Sequence, residues 1–390
     1  MRLGFITGEY PPMQGGIADY SAILAQYFAQ MGYEVFILTS HRANGGPPQP
    51  AIQVEASITH WTRACLGGQI AEWVRREGLS LVNLQYQTAA FRMSGAIHLL
   101  PQLLRWHGVP FITTFHDLRF PYLFPKAGPL RPWSVRHLAR HSTACLTTNR
   151  GDLARLQAEV NPRHLAQIPL GPTVKIIPPT DSAQAQALRA QQGVAPDDWL
   201  IAHFGFVNAS KGVETLIQAI HLAQQGGLKV RLWMLGERLG SSDPTNAAYT
   251  AHIEALAQQY AINIHWTGFL SDAELGVYLT AADVVALPFR DGASLRRTSL
   301  QAALAYGCAI ITTSPTDDPL PEFIHEQHLL YVPADDPSAL ASALIRLQHD
   351  SALAATLGKG AQAAARQFSW ESIAQQVLAF YQQVLESIAT

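Results

Sequence analysis

Leu287–Gly307 reads LPFRDGASLRRTSLQAALAYG, and it holds a strand end, a loop and a helix in twenty-one residues. Asp283–Pro288 has the apolar character of a buried strand. RDGA is a tight polar turn. From about Ser294 to Tyr306 a helix is expected, because Leu300, Ala303, Leu304 and Gly307 recur at helical spacing. A buried strand passing through a short loop into a helix is the repeating unit of a parallel sheet covered by helices. Ser294 is the expected N-cap, its hydroxyl accepting from a first-turn N–H. Arg296 and Arg297 then fall in the first turn, where the helix dipole disfavours each cation by roughly 0.3–1 kcal/mol. Arg290 lies just upstream, and Asp291 is the nearby acid. A helix start this cationic is expected of an anion site. Gly292 allows close approach of the backbone, and first-turn N–H groups of Ser294–Thr298, with Leu295 between, would face the ligand. The alternative is a set of solvated arginines paired with Asp291 or a more distant carboxylate.

The same strand–loop–helix unit repeats outward in both directions. Strands are expected at Leu3–Thr7, Glu34–Thr39, Leu81–Leu84, Phe111–Thr114, Ala144–Thr147 and Leu165–Ile168. A second series falls at Leu200–Phe204, Val230–Leu235, Ile264–Thr267, Asp283–Leu287 and Ala309–Thr312. Ile17–Met31 is the clearest early helix, closed by Gly32. Arg42–Pro50 is a surface loop, rich in glycine and proline. Between the two series the proline-punctuated Pro169–Pro196 breaks the pattern and marks a hinge. The fold class is α/β, with two doubly wound domains facing an interdomain cleft. Helices Pro337–Gln348, Ser351–Gln367 and Trp370 to about Ile388 close the chain.

In doubly wound sheets ligands sit beyond the carboxyl ends of the strands, at the point where strand order reverses. Three loops there carry chemistry. After the first strand, Gly15 and Gly16 precede a helix and turn backbone N–H groups outward; taken singly, an ordinary turn explains them as well. After Phe111–Thr114 comes His116, able to exchange a proton near neutral pH, or else to satisfy a local carbonyl. After Leu200–Phe204, Lys211 stands at the mouth of the helix that Gly212 opens. Two cationic helix mouths in one domain suit a diphosphate better than a lone carboxylate.

Composition narrows the rest. The 390 residues are 48% hydrophobic and 14% charged with a net charge of −2, which fits two compact domains and argues against bulk nucleic-acid binding. No G-x-G-x-x-G, Walker loop or D-x-D occurs, and no set of His, Cys and acids has metal-ligand spacing, so no metal or other cofactor is expected. Cys65, Cys145 and Cys308 form no disulfide framework and read as small buried hydrophobes. No apolar run reaches the ~18 residues of a membrane span, and the N-terminus reads as a strand rather than a signal peptide, which makes the cytoplasm the expected compartment. From Leu118 to Gly151 there is no acid. Arg119, Lys126, Arg131, Arg136, Arg140 and Arg150 fall there with Phe120, Tyr122, Phe124 and Trp133. This stretch, 118–150, reads either as peripheral contact with anionic lipid or a lipid-linked acceptor, or as a lid on its own domain.

Taken together these landmarks resemble the GT-B-fold retaining glycosyltransferases of family 4 type. They are Gly15–Gly16, TFHD at Thr114–Asp117, FGFVNASKG ending at Gly212, TGFLSDAEL at Thr267–Leu275, AADVVALPF at Ala281–Phe289, ALAYGCAIITT at Ala303–Thr313 and FSWESIA at Phe368–Ala374. The resemblance implies an acceptor-binding domain at 1–170, with helix 370–390 returning to it, and a nucleotide-sugar-binding domain at 171–369. It implies that His116 and Lys211 are the catalytic pair. Lys211, Arg290, Ser294, Leu295, Arg296, Arg297 and Thr298 would hold the donor diphosphate, approached by Gly15 and Gly16 from across the cleft. Asp291 and Gly292 would border the sugar or ribose, and Gly268, Phe269 and Leu270 the nucleobase. The expected reaction moves a sugar from a nucleoside-diphosphate sugar to an acceptor hydroxyl, in glycan, polysaccharide or glycolipid synthesis, with the acceptor open among a lipid-linked glycan, a polysaccharide and a small molecule. The chain departs from the family pattern at three positions: Ser294 and Ala302 stand where paired glutamates are usual, and Phe206 where an arginine is usual. The loss of both glutamates motivates a rival reading, a non-catalytic nucleotide-sugar sensor or partner subunit; a distant third keeps the fold and changes the reaction to sugar-nucleotide epimerisation.

Overall fold

The computed structural model describes every residue except 14, 47–49, 63–65, 120–129, 178–181, 238–244, 317–318 and 390. Cys65 and much of the acid-free stretch after Leu118 thus lie outside the described residues. The chain divides into two compact units, Met1–Thr173 with Phe368–Thr390, and Val174–Gln367.

The first unit is a seven-stranded parallel sheet. Its strands are β1 (Arg2–Thr7), β2 (Glu34–Ser40), β3 (Ile52–Ile58), β4 (Leu81–Tyr86), β5 (Phe111–Phe115), β6 (Ala144–Thr147) and β7 (Leu165–Gln167), in the order β3-β2-β1-β4-β5-β6-β7. Alternation along the strands sends Ile6, Phe36, Leu38, Val82 and Leu84 into one apolar layer, and Phe5, Val35, Ile37 and Leu81 into the other. The second layer also takes Ile373, Val377, Phe380, Tyr381 and Val384 from the terminal helix Trp370–Ala389, which covers this face of the sheet. Its entry is locked at one point. Trp370 Nε1 donates to the Pro172 carbonyl at 2.7 Å, and a Cβ on Gly171 would lie 2.7 Å from the same indole. Strand β3 is absent from the sequence reading, although Ile52–Ile58 (IQVEASI) alternates apolar and polar residues as a half-buried edge strand does.

The second unit is a six-stranded parallel sheet. It comprises β8 (Trp199–Phe204), β9 (Val230–Leu235), β10 (Ile264–Trp266), β11 (Val284–Leu287), β12 (Ile310–Thr313) and β13 (Leu330–Val332), in the order β10-β9-β8-β11-β12-β13. The three-residue β13 is the other strand absent from the sequence reading. Strand order reverses between β8 and β11, so the loops after these two strands leave the same edge side by side. Of the cysteines, Cys145 and Cys308 are buried thiols. Among the described residues no helix is long and apolar enough to cross a membrane.

Candidate functional site

The sheet order of the second unit brings Lys211 and the 288–297 loop together. After β8 the chain turns at Gly205, where Asn208 caps a short 3₁₀ turn, Ala209–Lys211, by accepting from Ser210 N at 3.1 Å. Gly212 follows in the left-handed region (φ 66°) and starts the helix Val213–Gln225. Its conformation and its space both require glycine, for a Cβ would lie 1.8 Å from the Pro288 carbonyl oxygen. The backbone of the β11 loop is thus pressed against the start of the Lys211 helix, and Arg290 N donates to Ser210 O at 3.1 Å.

The arginine loop departs from the sequence expectation. The helix runs Thr298–Ala305 and not from Ser294, and Arg297, with extended dihedrals, occupies the cap position without a side-chain cap bond. Ser294 caps a turn instead: its Oγ accepts from Arg296 N at 3.2 Å and its carbonyl from Arg297 N at 3.0 Å. Gln301, in the first helical turn, reaches back to donate to Leu295 O at 2.7 Å and pins that turn. The competing local hydrogen bonds of Ser294 hold four residues out of the helix. Arg296 and Arg297 therefore precede the helix and do not oppose its dipole from within. Ala302, where the second glutamate is usual, is fully buried.

Arg297 turns back over the sheet edge. Its guanidinium lies 4.8 Å from the centroid of the buried Phe289 ring, and Lys211 Nζ lies 5.2 Å from the same ring. Arg297 Nη1 is 3.4 Å from Ser210 Oγ and Nη2 is paired with the Asp291 carboxylate. Two cations lie by one aromatic ring, and the charge of Asp291 bears on both. Burial, and secondarily the nearby Arg297, push the Lys211 pKa from 10.5 down to about 8, with Asp291 opposing. A buried ammonium beside a guanidinium is stabilised by an arriving dianion. Arg290 points elsewhere, to Asp335 at 2.9 Å, and Arg296 is exposed. The positions are thus not equivalent: Lys211 and Arg297 converge on the Phe289 ring, whereas Arg290 is paired with Asp335. Gly292 (φ 82°) leaves no room for a Cβ, which would meet Ser314 O and Thr316 N at 2.8 Å, and Thr316 Oγ1 donates to Asp291 O.

Beside this pair, Gly268 (φ 68°) forms a bridge with Gly236, whose N–H donates to Thr267 Oγ1 at 3.1 Å. Phe269 is 78% exposed, Leu270 half-buried, and Phe206, after β8, 49% exposed. At the usual strand spacing, β10 lies about 10 Å from β8. His203 on β8 escaped the sequence reading. It is fully buried, its Nδ1–H donates to Ala286 O at 2.8 Å, and it is driven neutral by burial with its pKa lowered to about 4.

In the first unit Gly15 caps the helix Gly16–Gln30. A second residue missed by sequence sits there: a Cβ on Gly15 would lie 2.5 Å from the Glu9 carboxylate. Burial raises the Glu9 pKa, with Arg42 opposing. This helix start therefore carries an acid, where the sequence suggested a phosphate approach. His116 continues the β4–β5 ladder, donating its N–H to Tyr86 O at 3.0 Å. Its Nε2 lies 2.9 Å from Gln85 Oε1. Asp117 accepts from Arg119 N at 3.1 Å, and burial raises its pKa.

The acid-free stretch is described from the helix Leu130–His141 onward. Val135, Leu138 and Ala139 face the core. The opposite face shows Trp133 (46% exposed), Arg136, His137, Arg140 and His141. The Trp133, His137 and His141 rings follow one another at 4.6 and 4.3 Å.

Known proteins carry the same two-part plan. The family model for Glycosyl transferases group 1 matches residues 199–350, and that for the Glycosyl transferase 4-like domain matches 15–171. The chain is 28% identical to D-inositol 3-phosphate glycosyltransferase of Xylanimonas cellulosilytica, over 95% of its own length and 92% of the relative's. It is 24% identical to alpha-maltose-1-phosphate synthase of Mycobacterium tuberculosis, over 98% and 100%. Anabaena HepE in complex with UDP superposes with a TM-score of 0.75 at 16% identity, over 98% and 100% of the two chains. The chain belongs to the glycosyltransferases of group 1, with the GT-B fold. It is a glycosyltransferase enzyme that uses a nucleotide sugar.

Proposed function

We propose that the enzyme retains anomeric configuration and that Lys211 and Arg297 hold the diphosphate of its donor. The observation that carries the diphosphate assignment is the convergence of these two cations on the Phe289 ring; retention is what the family resemblance implies. The loops bearing them straddle the point where strand order reverses. As the bond from the anomeric carbon to the phosphate oxygen breaks, negative charge collects on the leaving diphosphate, and fixed cations at that spot lower the barrier. The acceptor hydroxyl oxygen bonds to the anomeric carbon on the same face, and its proton passes to the departing phosphate oxygen. Arg297, with its forked guanidinium, takes the place of the arginine absent at Phe206. Asp291 exchanges one partner for another when phosphate reaches Arg297, and is left beside the sugar. His116 borders the transferred sugar, and Gly268–Leu270 the base. No metal is required in this scheme, since lysine, arginine and the start of the Thr298 helix neutralise the diphosphate.

The test is a screen of UDP-, GDP- and ADP-sugars for thermal stabilisation, followed by NMR of the product anomer with and without EDTA. UDP-sugars come first, because HepE is solved with UDP. A ligand at a hundred times its Kd stabilises by about 2.7 kcal/mol. An inverted product would remove retention, and loss of transfer in EDTA would remove the metal-free scheme.

For the acceptor side we propose a lipid-linked glycan reached at an anionic membrane surface through the helix Leu130–His141. The exposed face of that helix supplies the support, being aromatic and cationic without an acid. Replacing Arg136 and Arg140 together by glutamine is expected to weaken binding to phosphatidylglycerol vesicles roughly thirtyfold, about 1 kcal/mol per cation. Equal co-sedimentation with neutral phosphatidylcholine vesicles would remove the membrane reading.

A further inference from the structure

Beneath the Lys211 turn, the second unit's sheet buries a histidine that the transfer scheme above leaves unused. His203 lies on β8, which runs beside β11 where strand order reverses. Strand side chains alternate between the two faces, and Ile201 belongs to the apolar layer shared with Val213, Leu216 and Ile217 of the helix Val213–Gln225. His203, two residues on, projects into the same layer and has no solvent exposure. Backbone pairing of β8 with β11 ends at Ala202 and Val285, although the strands continue to Phe204 and Leu287. Just beyond that point the imidazole Nδ1–H donates to the Ala286 carbonyl at 2.8 Å. A carbonyl accepts and cannot donate, so in the neutral ring Nδ1 carries the hydrogen and Nε2 a lone pair. Nε2 is itself buried, and among the described residues it has no hydrogen-bond partner. An acceptor left in that state is costly.

Lys211 supplies the complementary group. Its side chain lies over Gly205, two residues further along β8, where a Cβ would be 3.7 Å from both Cε and Nζ. The charge of Lys211 bears on the His203 ring. The other charged groups that bear on Lys211 are Arg297 and Asp291, both from the β11 loop. An ammonium has three hydrogens to donate and no acceptor of its own.

We propose that His203 is a positioning residue for Lys211: held by the Ala286 carbonyl with its hydrogen on Nδ1, it turns the Nε2 lone pair toward the Lys211 ammonium and stabilises that charge where the diphosphate docks. This rests on the reading of Lys211 as a ligand of the diphosphate. Burial and Arg297 both favour the neutral lysine. A lone pair presented from inside the sheet offsets them. A carboxylate in its place would also favour the ammonium, but it would set a second anion beside the phosphate.

The test follows Kd for UDP by calorimetry from about pH 6 to 10, a range that spans the titration of Lys211. In the wild type Kd begins to rise at about pH 8, as the ammonium is lost. His203→Asn keeps an N–H for Ala286 O and removes the acceptor at the Nε2 position. It is expected to move the break down by about one unit, which raises Kd at about pH 8 roughly fivefold. His203→Gln places an amide oxygen near the Nε2 position and is expected to return the break to its wild-type place. Equal breaks in the two variants, at the wild-type position or shifted together, overturn the positioning role. Lys211→Ala tests the underlying reading separately. A break that persists in that variant shows that Lys211 does not titrate against the diphosphate, and the proposal fails with that reading. ¹⁵N NMR of the full chain labelled in histidine needs no change to the core except to identify the His203 signals, by their loss in His203→Asn or His203→Gln. The expected wild-type spectrum at neutral pH shows a protonated Nδ1 and an unprotonated Nε2. A protonated Nε2 overturns the proposal.

Discussion

Lys211→Ala is expected to lower kcat by about 10²–10³-fold, the loss seen when one fixed donor to a developing negative charge is removed. The fold survives, because the side chain stabilises the ligand complex and not the empty protein. Its pKa, about 8 against an ordinary 10.5, means that the folded state disfavours the charged form by about 3 kcal/mol. The unfolded chain therefore binds more protons between about pH 8 and 10.5, and wild-type stability rises with pH across that window. The alanine variant loses this slope and melts no lower than wild type at pH 7. Donor affinity follows the opposite course. The diphosphate prefers the ammonium, so wild-type Kd for the nucleotide rises as pH passes about 8, and the variant's does not. Calorimetry and steady-state kinetics at pH 7 and 9 measure both. Near wild-type turnover in Lys211→Ala would refute the diphosphate assignment.

Gly212→Ala is expected to be the most damaging single methyl in the second unit. The residue holds φ 66°, which disfavours any L side chain, and its Cβ would sit 1.8 Å from Pro288 O. No rotamer relieves a clash with backbone. Conformational strain and overpacking together come to about 3 kcal/mol or more, which for a unit of roughly 200 residues lowers Tm by about 6–12 °C. The same displacement separates the Lys211 turn from the Phe289–Arg297 loop, so donor binding weakens alongside stability. Differential scanning calorimetry with a nucleotide titration detects both. A variant with unchanged Tm would show that the two loops are not pressed together in this way.

How much of this was legible depends on the distance over which the signal travels along the chain. The strand Val284–Leu287 and the alternation of strands with helices follow from apolar periodicity, which is local. Strand β3 was legible but passed over: its period-2 alternation, Ile52, Val54, Ala56 and Ile58 against Gln53, Glu55 and Ser57, is the local mark of a half-buried edge strand and differs from the continuous apolar runs of the central strands. The helix start was misplaced by four residues for a local reason too. Ser294 is a good cap by type, but its hydroxyl and carbonyl close a turn of their own, and Gln301 then secures it. Glu9 and His203 carried no signal, since a lone acid in a loop and a lone histidine in a strand acquire meaning only from what is packed against them.

The sequence by itself determined a parallel α/β chain in two series of strands with cationic loops after β8 and β11; the glycosyltransferase family was carried by the resemblance of its motifs. Periodicity, turn residues and charge at strand ends are properties of neighbouring residues and can be read in order. Only the tertiary structure decided which of the cations lie together. Strand order places β8 beside β11, although about eighty residues separate them in the chain, and that adjacency sets Arg297 over the same ring as Lys211 while Arg290 turns to Asp335. The stretch Leu287–Gly307 raised the expectation of an anion site, and the proximity of its Arg297 to Lys211 is what supports the proposed diphosphate site.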